Sequence, residues 1–153
     1  MRMEEGNRKF TPNDTIKKRV LFICTHNSVR SQMAEGLMNH VYRDCYAAYS
    51  AGTKPSKVNP YTVKVMSEIG IDISKNHSKG LDEFTGTEFD YVITVCDRAK
   101  EECPFFTGGK KHIHKGFENP NKLNNGRENE PLEVFRQLRD EIRWWIEKTF
   151  EGK

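Results

Sequence analysis

Arg19-Val20-Leu21-Phe22-Ile23-Cys24 is a short apolar, β-branched run, followed without a break by Thr25-His26-Asn27-Ser28-Val29-Arg30-Ser31. The run reads as a buried strand. After it, Met33, Leu37, Met38 and Val41 recur at helical spacing and predict a helix from Ser31 to about Val41. A tight turn between such a strand and helix presents backbone N–H groups at the positive end of a helix dipole, where a tetrahedral oxyanion is the natural guest. Cys24 and Arg30 bracket the turn and Ser31 follows at once. Arg30 offers a planar fork to two anion oxygens. The same field favours a thiolate at Cys24, and Ser31 can donate a hydrogen bond to it. Cys24 is therefore read as a nucleophile beneath a bound anion. Thr25, His26, Asn27, Ser28, Val29, Arg30 and Ser31 are read as the anion cradle. The plainer alternative, a buried strand-end cysteine and a surface arginine, fits the spacing alone but not the ordered strand, turn and helix.

Outward from this turn, Tyr46 to Ala51 reads as a second strand closed by Gly52. Asn59 and Pro60 open a helix, as cap and first helical residue, that runs to Ile69 and stops at a left-handed Gly70. Asp90 to Cys96 reads as a third strand and His112 to His114 as a short fourth. A Gly- and Asn-rich loop over residues 115–130 precedes a last helix from Pro131 to Phe150, whose inner face carries Leu132, Phe135, Leu138, Ile142, Trp145 and Ile146. Strands alternating with helices predict a single α/β domain, a four-stranded parallel sheet with helices on both faces. Residues 1–18 read as a polar extension and 19–153 as the domain. Ligands of such sheets bind beyond the carboxyl ends of the strands. Cys24 and Cys96 each end a predicted strand, so both can face one crevice.

The chain has 153 residues, 35% hydrophobic and 31% charged, with a formal net charge of +3. That suits one core. The two signs of charge are mixed along the chain, which argues against a nucleic-acid partner. No apolar run is long enough for a membrane helix, and residues 1–18 lack the apolar centre of a signal peptide. The expected location is the cytoplasm, where four cysteines are more often buried, catalytic or metal-binding than structurally paired.

The segment from Cys24 to Ser31 with Gln32-Met33-Ala34-Glu35-Gly36 resembles the thioredoxin-coupled arsenate reductases, which share the low-molecular-weight tyrosine phosphatase fold. The resemblance continues through Tyr49-Ser50-Ala51-Gly52, Asn59-Pro60, residues 70–74, Val92 to Cys103-Pro104, and Gly116-Phe117-Glu118-Asn119-Pro120. It implies a low-molecular-weight phosphatase-like fold and a relay. Cys24 attacks arsenic(V), Cys96 attacks Cys24 as arsenite leaves, and Cys103 then takes the disulfide outward for thioredoxin. Phosphate and sulfate are the implied inhibitory analogues, and the protein is expected to be monomeric. A zinc site from Cys96, Cys103, His112 and His114 matches no common ligand spacing, so no metal is expected. Cys45 is read as a buried or half-buried structural thiol.

Two departures from the family pattern stand out. The family usually places an Asp before a Pro in the last active-site loop, as general acid. Here the residue is Asn119, with Glu118 beside it. The loss bears harder on phosphatase chemistry, the alternative function, than on arsenate, which can bring its own proton. Some reductases also hold potassium beside the cradle, with ligands that map to Asn27, Glu35, Ser50 and an Asp. Lys79 occupies the Asp position, and its ammonium could take the space of the ion. No cofactor and no potassium requirement are expected. Ser50 and Asn27 are expected to brace the loop. His26 is expected to contribute its backbone N–H and little else, while His40, His77, His112 and His114 are read as surface or loop residues.

Overall fold

The computed structural model of the chain describes residues 17–97, 106–118, 120 and 131–151. In order these form β1 (Lys18–Cys24), α1 (Arg30–Val41), β2 (Tyr46–Gly52), α2 (Pro60–Ser67), a 3-10 helix (Leu81–Phe84), β3 (Phe89–Thr94), β4 (Gly109–His114) and α3 (Pro131–Phe150). The strands make one parallel sheet in the order β2-β1-β3-β4. Of the proposed polar extension, residues 1–16 lie outside the described residues, and β1 begins at Lys18.

The apolar run of β1 is buried on both faces because strand periodicity sends alternate residues to opposite sides. Val20 and Phe22 join Met33 and Leu37 of α1, Val65 and Met66 of α2, and Phe135, Ile142 and Ile146 of α3 in the main core. Leu21 and Ile23 face the other way, with Val92 of β3, against Leu81, Phe84 and Phe106. α3 has the expected bounds, and Phe135, Leu138, Ile142 and Ile146 are buried along its inner face. Each such side chain contributes about 1.5–3 kcal/mol. Leu132 and Trp145 are half-buried against the same core, and Trp144 is exposed. Arg139, buried on this helix, donates to the Val65 carbonyl (2.8 Å) and ties α3 to α2.

Several boundaries differ from the sequence reading. α2 ends at Ser67, because the amides of Ile69 and Gly70 turn back three residues, to Met66 and Ser67, and Gly70 (φ 83°) reverses the chain. The Asn59 cap is present, its side chain accepting from Tyr61 N at 2.7 Å. β3 stops at Thr94, where its pairing with β4 ends. Cys96 thus lies two residues past the strand, still buried. β4 starts earlier than expected, at Gly109. Cys45 is exposed. It precedes β2 in a turn, where its carbonyl accepts from Lys18 N. No helix among the described residues is long and apolar enough to cross a membrane.

β1 pairs with β2 on one side and β3 on the other, so the chain leaves β1 in one direction and later returns past it. The carboxyl end of β1 is the switch point where such folds form a crevice, and Cys24 is its last residue.

Candidate active site

The cradle is held by a segment the sequence reading passed over. Lys54 N donates to Thr25 O (2.8 Å), Ser56 N to His26 O (3.3 Å) and Asn59 N to Ser28 O (3.1 Å). Ser78 Oγ also donates to His26 O, at 2.7 Å. The C=O and N–H of one trans peptide point opposite ways, so the amides of His26, Asn27 and Val29 turn away from this outer segment, into the loop. Asn27 sits at φ 51°, the left-handed turn that lets successive amides converge. α1 begins with no capping side chain and no acidic residue in its first turn. The positive end of a helix dipole is a place where an anion can bind.

Cys24, buried, lies at the floor. Its Sγ is 2.9 Å from Ser31 Oγ. Asn27 Nδ2 donates to the same oxygen at 2.7 Å. A thiolate can only accept, so when Cys24 is ionised the Ser31 hydroxyl gives its proton to Cys24 Sγ while accepting from Asn27. Arg30 is buried and its Nη1 donates to Phe117 O (3.1 Å), which aims the guanidinium from below. Phe117 is itself fixed by its amide on Val95 O and by its ring on Trp145.

Asn27 Oδ1 accepts from Lys79 N (2.8 Å) and from Gln32 Nε2 (3.0 Å). The Lys79 ammonium donates to His77 O (3.2 Å) and lies 3.8 Å from Glu35 Oε1, with both side chains mostly buried. Ser50 Oγ donates to the same Glu35 oxygen. Ser50 therefore braces Glu35 rather than the loop. Burial pushes the Glu35 carboxyl above the usual range, against the lowering effect of Ser50 and Lys79. The residues mapped to the potassium ligands do gather here, with an ammonium among them instead of a carboxylate.

His26 is exposed and its Nδ1 meets Lys54 O at 3.0 Å. Because a carbonyl only accepts, Nδ1 carries the proton. His40, His77 and His112 are exposed; His114 is half-buried and its Nδ1 lies 2.7 Å from Thr94 Oγ1. Among the described residues no group of His, Cys, Asp or Glu could hold a metal ion. Cys96 follows the end of β3, the strand that neighbours β1. It is disulfide-bonded, while Cys24 and Cys45 are free thiols. Glu118 is exposed. Cys103 and Asn119 lie outside the described residues.

The family model for low molecular weight phosphotyrosine protein phosphatase matches residues 19–151. The arsenate reductase of Halalkalibacterium halodurans is 45% identical over 134 residues, 88% of this chain and 95% of that protein. The chain belongs to the arsenate reductase branch of the low-molecular-weight phosphatase family. A solved arsenate reductase in its phosphate-binding state superposes with a TM-score of 0.73 at 32% identity, over 86% of this chain and 95% of that one. A thioredoxin-dependent arsenate reductase of Corynebacterium glutamicum gives 0.64 at 28% identity, over 90% of this chain and 64% of that one. These solved arsenate reductases share the fold over most of this chain's length.

Gly52, Gln32 and the 54–59 segment are the parts of the site that sequence reading missed. Their signals were present as a strand-ending glycine, a polar residue on an otherwise apolar helix face, and a Lys-Pro-Ser-Lys run. None of these points to a partner without the fold.

Proposed function

We propose that this chain reduces arsenate to arsenite through Cys24, Cys96 and Cys103, and is recycled by thioredoxin. One observation carries the reading: Cys24 is a buried free thiol ending β1 ahead of the uncapped N-terminus of α1, while Cys96, two residues past the end of neighbouring β3, is disulfide-bonded. The Cys24 thiolate attacks arsenic(V) and an arsenate oxygen leaves as water. Arg30 and the loop amides hold the remaining oxygens. The Cys96 thiolate then attacks Cys24 Sγ, the S–As electron pair passes to arsenic, and arsenite departs from a Cys24–Cys96 disulfide. Cys103 attacks Cys96, the Cys24 thiolate is released, and the dithiol of thioredoxin reduces the Cys96–Cys103 bond. A free Cys24 thiol together with an oxidised Cys96 fits the last enzyme state of this sequence.

Phosphate fits the same cradle, and the family's name makes phosphomonoester hydrolysis the second reading. Asn119 before Pro120 counts against it, since an amide cannot protonate an alkoxide leaving group. We further propose that the reaction needs no potassium, because the Lys79 ammonium already neutralises Glu35 beside the cradle. The cytoplasm, which keeps thioredoxin and free thiols reduced, is the matching compartment.

The test is peptide mass spectrometry after one equivalent of arsenate, with thiols blocked by acid quench. Wild type, reduced beforehand, acquires the Cys96–Cys103 link. Cys103→Ser turns over once and holds the Cys24–Cys96 link. Arsenite formation with all thiols still reduced would mean that an external thiol is the reductant.

A further inference from the structure

Gln32 lies in the first turn of α1 and is buried, yet it makes no contribution to the apolar core. Its Nε2 donates to Asn27 Oδ1 (3.0 Å), to Asn27 O (3.3 Å) and to His77 O (3.1 Å). Its Oε1 accepts from Asn76 Nδ2 at 3.1 Å. The amide therefore bridges the cradle to a loop more than forty residues away in sequence.

The orientations follow from groups with no choice. His77 O and Asn27 O can only accept, so the nitrogen of Gln32 must face them and its oxygen must face Asn76. Lys79 N can only donate, so Asn27 presents Oδ1 to it and to Gln32, and Nδ2 to Ser31. Toward the Cys24 thiolate, which can only accept, the Ser31 hydroxyl gives its one hydrogen while accepting from Asn27. A chain of fixed polarity thus runs from Asn76 through Gln32, Asn27 and Ser31 to the sulfur. In a buried setting each bond polarises the next.

We propose that Gln32 is a positioning residue for the Cys24 thiolate, acting through the orientation of the Asn27 side-chain amide. It touches neither sulfur nor anion. With Gln32 gone, Asn27 Oδ1 keeps one donor, Lys79 N, instead of two, and the loop at residues 76–79 loses the Gln32 links among its ties to the cradle. The Asn27 amide then rotates more freely, and the Ser31 hydrogen is no longer held on the sulfur. The proposal rests on Cys24 being the nucleophile and not on the identity of the substrate.

The experiment is the pH dependence of Cys24 alkylation by iodoacetamide, resolved at the Cys24 peptide by mass spectrometry so that the other thiols do not contribute. Its outcome is independent of arsenate turnover, so failure of the reductase reading would leave it standing. Gln32→Met keeps length and apolar volume and removes every hydrogen bond. It is expected to move the alkylation midpoint up by roughly half a unit to one unit, a three- to tenfold loss of thiolate below the midpoint. Asn76→Ala removes only the anchor of the Gln32 oxygen, at a half-buried loop position, and is expected to give a smaller shift in the same direction. Gln32→Met folded, with a lowered melting temperature but an unmoved midpoint, would make Gln32 a structural brace and overturn the proposal. If Gln32→Met does not fold, an unmoved midpoint in Asn76→Ala overturns it.

Discussion

Gly52 and Thr25 approach so closely that a Cβ at Gly52 would stand 2.5 Å from the Thr25 carbonyl oxygen and 2.8 Å from Asn27 N. Both neighbours are backbone of the loop between Cys24 and Arg30, the proposed anion cradle, so neither can swing aside. Gly52→Ala is expected to displace the loop and weaken anion binding by about tenfold or more, roughly 1.4 kcal/mol. Protection of Cys24 from alkylation by phosphate measures this; undiminished protection would show that the loop yields without cost.

Lys79 makes the second prediction. Its ammonium sits where it can neutralise Glu35, held by His77 O. Wild-type turnover should be the same in sodium and potassium buffers. Lys79→Ala removes the cation from beside a mostly buried carboxylate and should lose about tenfold in kcat/KM, a loss of roughly 1.4 kcal/mol, with partial recovery in potassium. A wild-type enzyme already stimulated by potassium would contradict the assignment.

Asn119 bears on the balance between reductase and phosphatase. Aryl phosphate hydrolysis should be slow in wild type and should rise in Asn119→Asp, by as much as the 10²–10⁴-fold typical of general acid catalysis, roughly stated. Arsenate reduction should change far less. No gain in hydrolysis would mean that Glu118 or solvent already supplies the proton.

Glu68 gives a pH dependence of stability away from the site. The hydrogen bond from Arg136, with that from Arg139, holds its carboxyl at about 2. The folded value lies below the ordinary 4.5, so the unfolded chain binds more protons between the two. The stabilisation is complete above pH 4.5 and is lost as pH falls toward 2. Glu68→Gln should lower the urea midpoint at pH 6 and narrow its difference from wild type at pH 3. Partial exposure of the pair keeps the effect modest and salt-sensitive.

What the sequence disclosed follows from the range of the interactions concerned. β1 and α3 were legible because an unbroken β-branched run and a helical apolar stripe are local patterns. The strand-turn-helix that holds Cys24, Arg30 and Ser31 is legible because it is one local unit. The link from Gln32 to Asn76 and His77 joins distant loops through amides, and no local period encodes it. The 3-10 helix at Leu81–Phe84 is too short to show a period. Cys45 was misplaced because it stands in a turn, just before the alternation of β2 begins to decide which side chains are buried. The apolar run extends through Val95 and Cys96 and so reads as strand to its end, but the pairing with β4 ends at Thr94, and that depends on the partner strand.

The most direct measurement is arsenite formation from arsenate by the reduced wild-type chain supplied with thioredoxin, thioredoxin reductase and NADPH. The account predicts arsenite and oxidised NADPH in a one-to-one ratio over many turnovers, with none in Cys24→Ser. Absence of arsenite from a folded wild-type protein that hydrolyses aryl phosphates at a phosphatase's rate would contradict it.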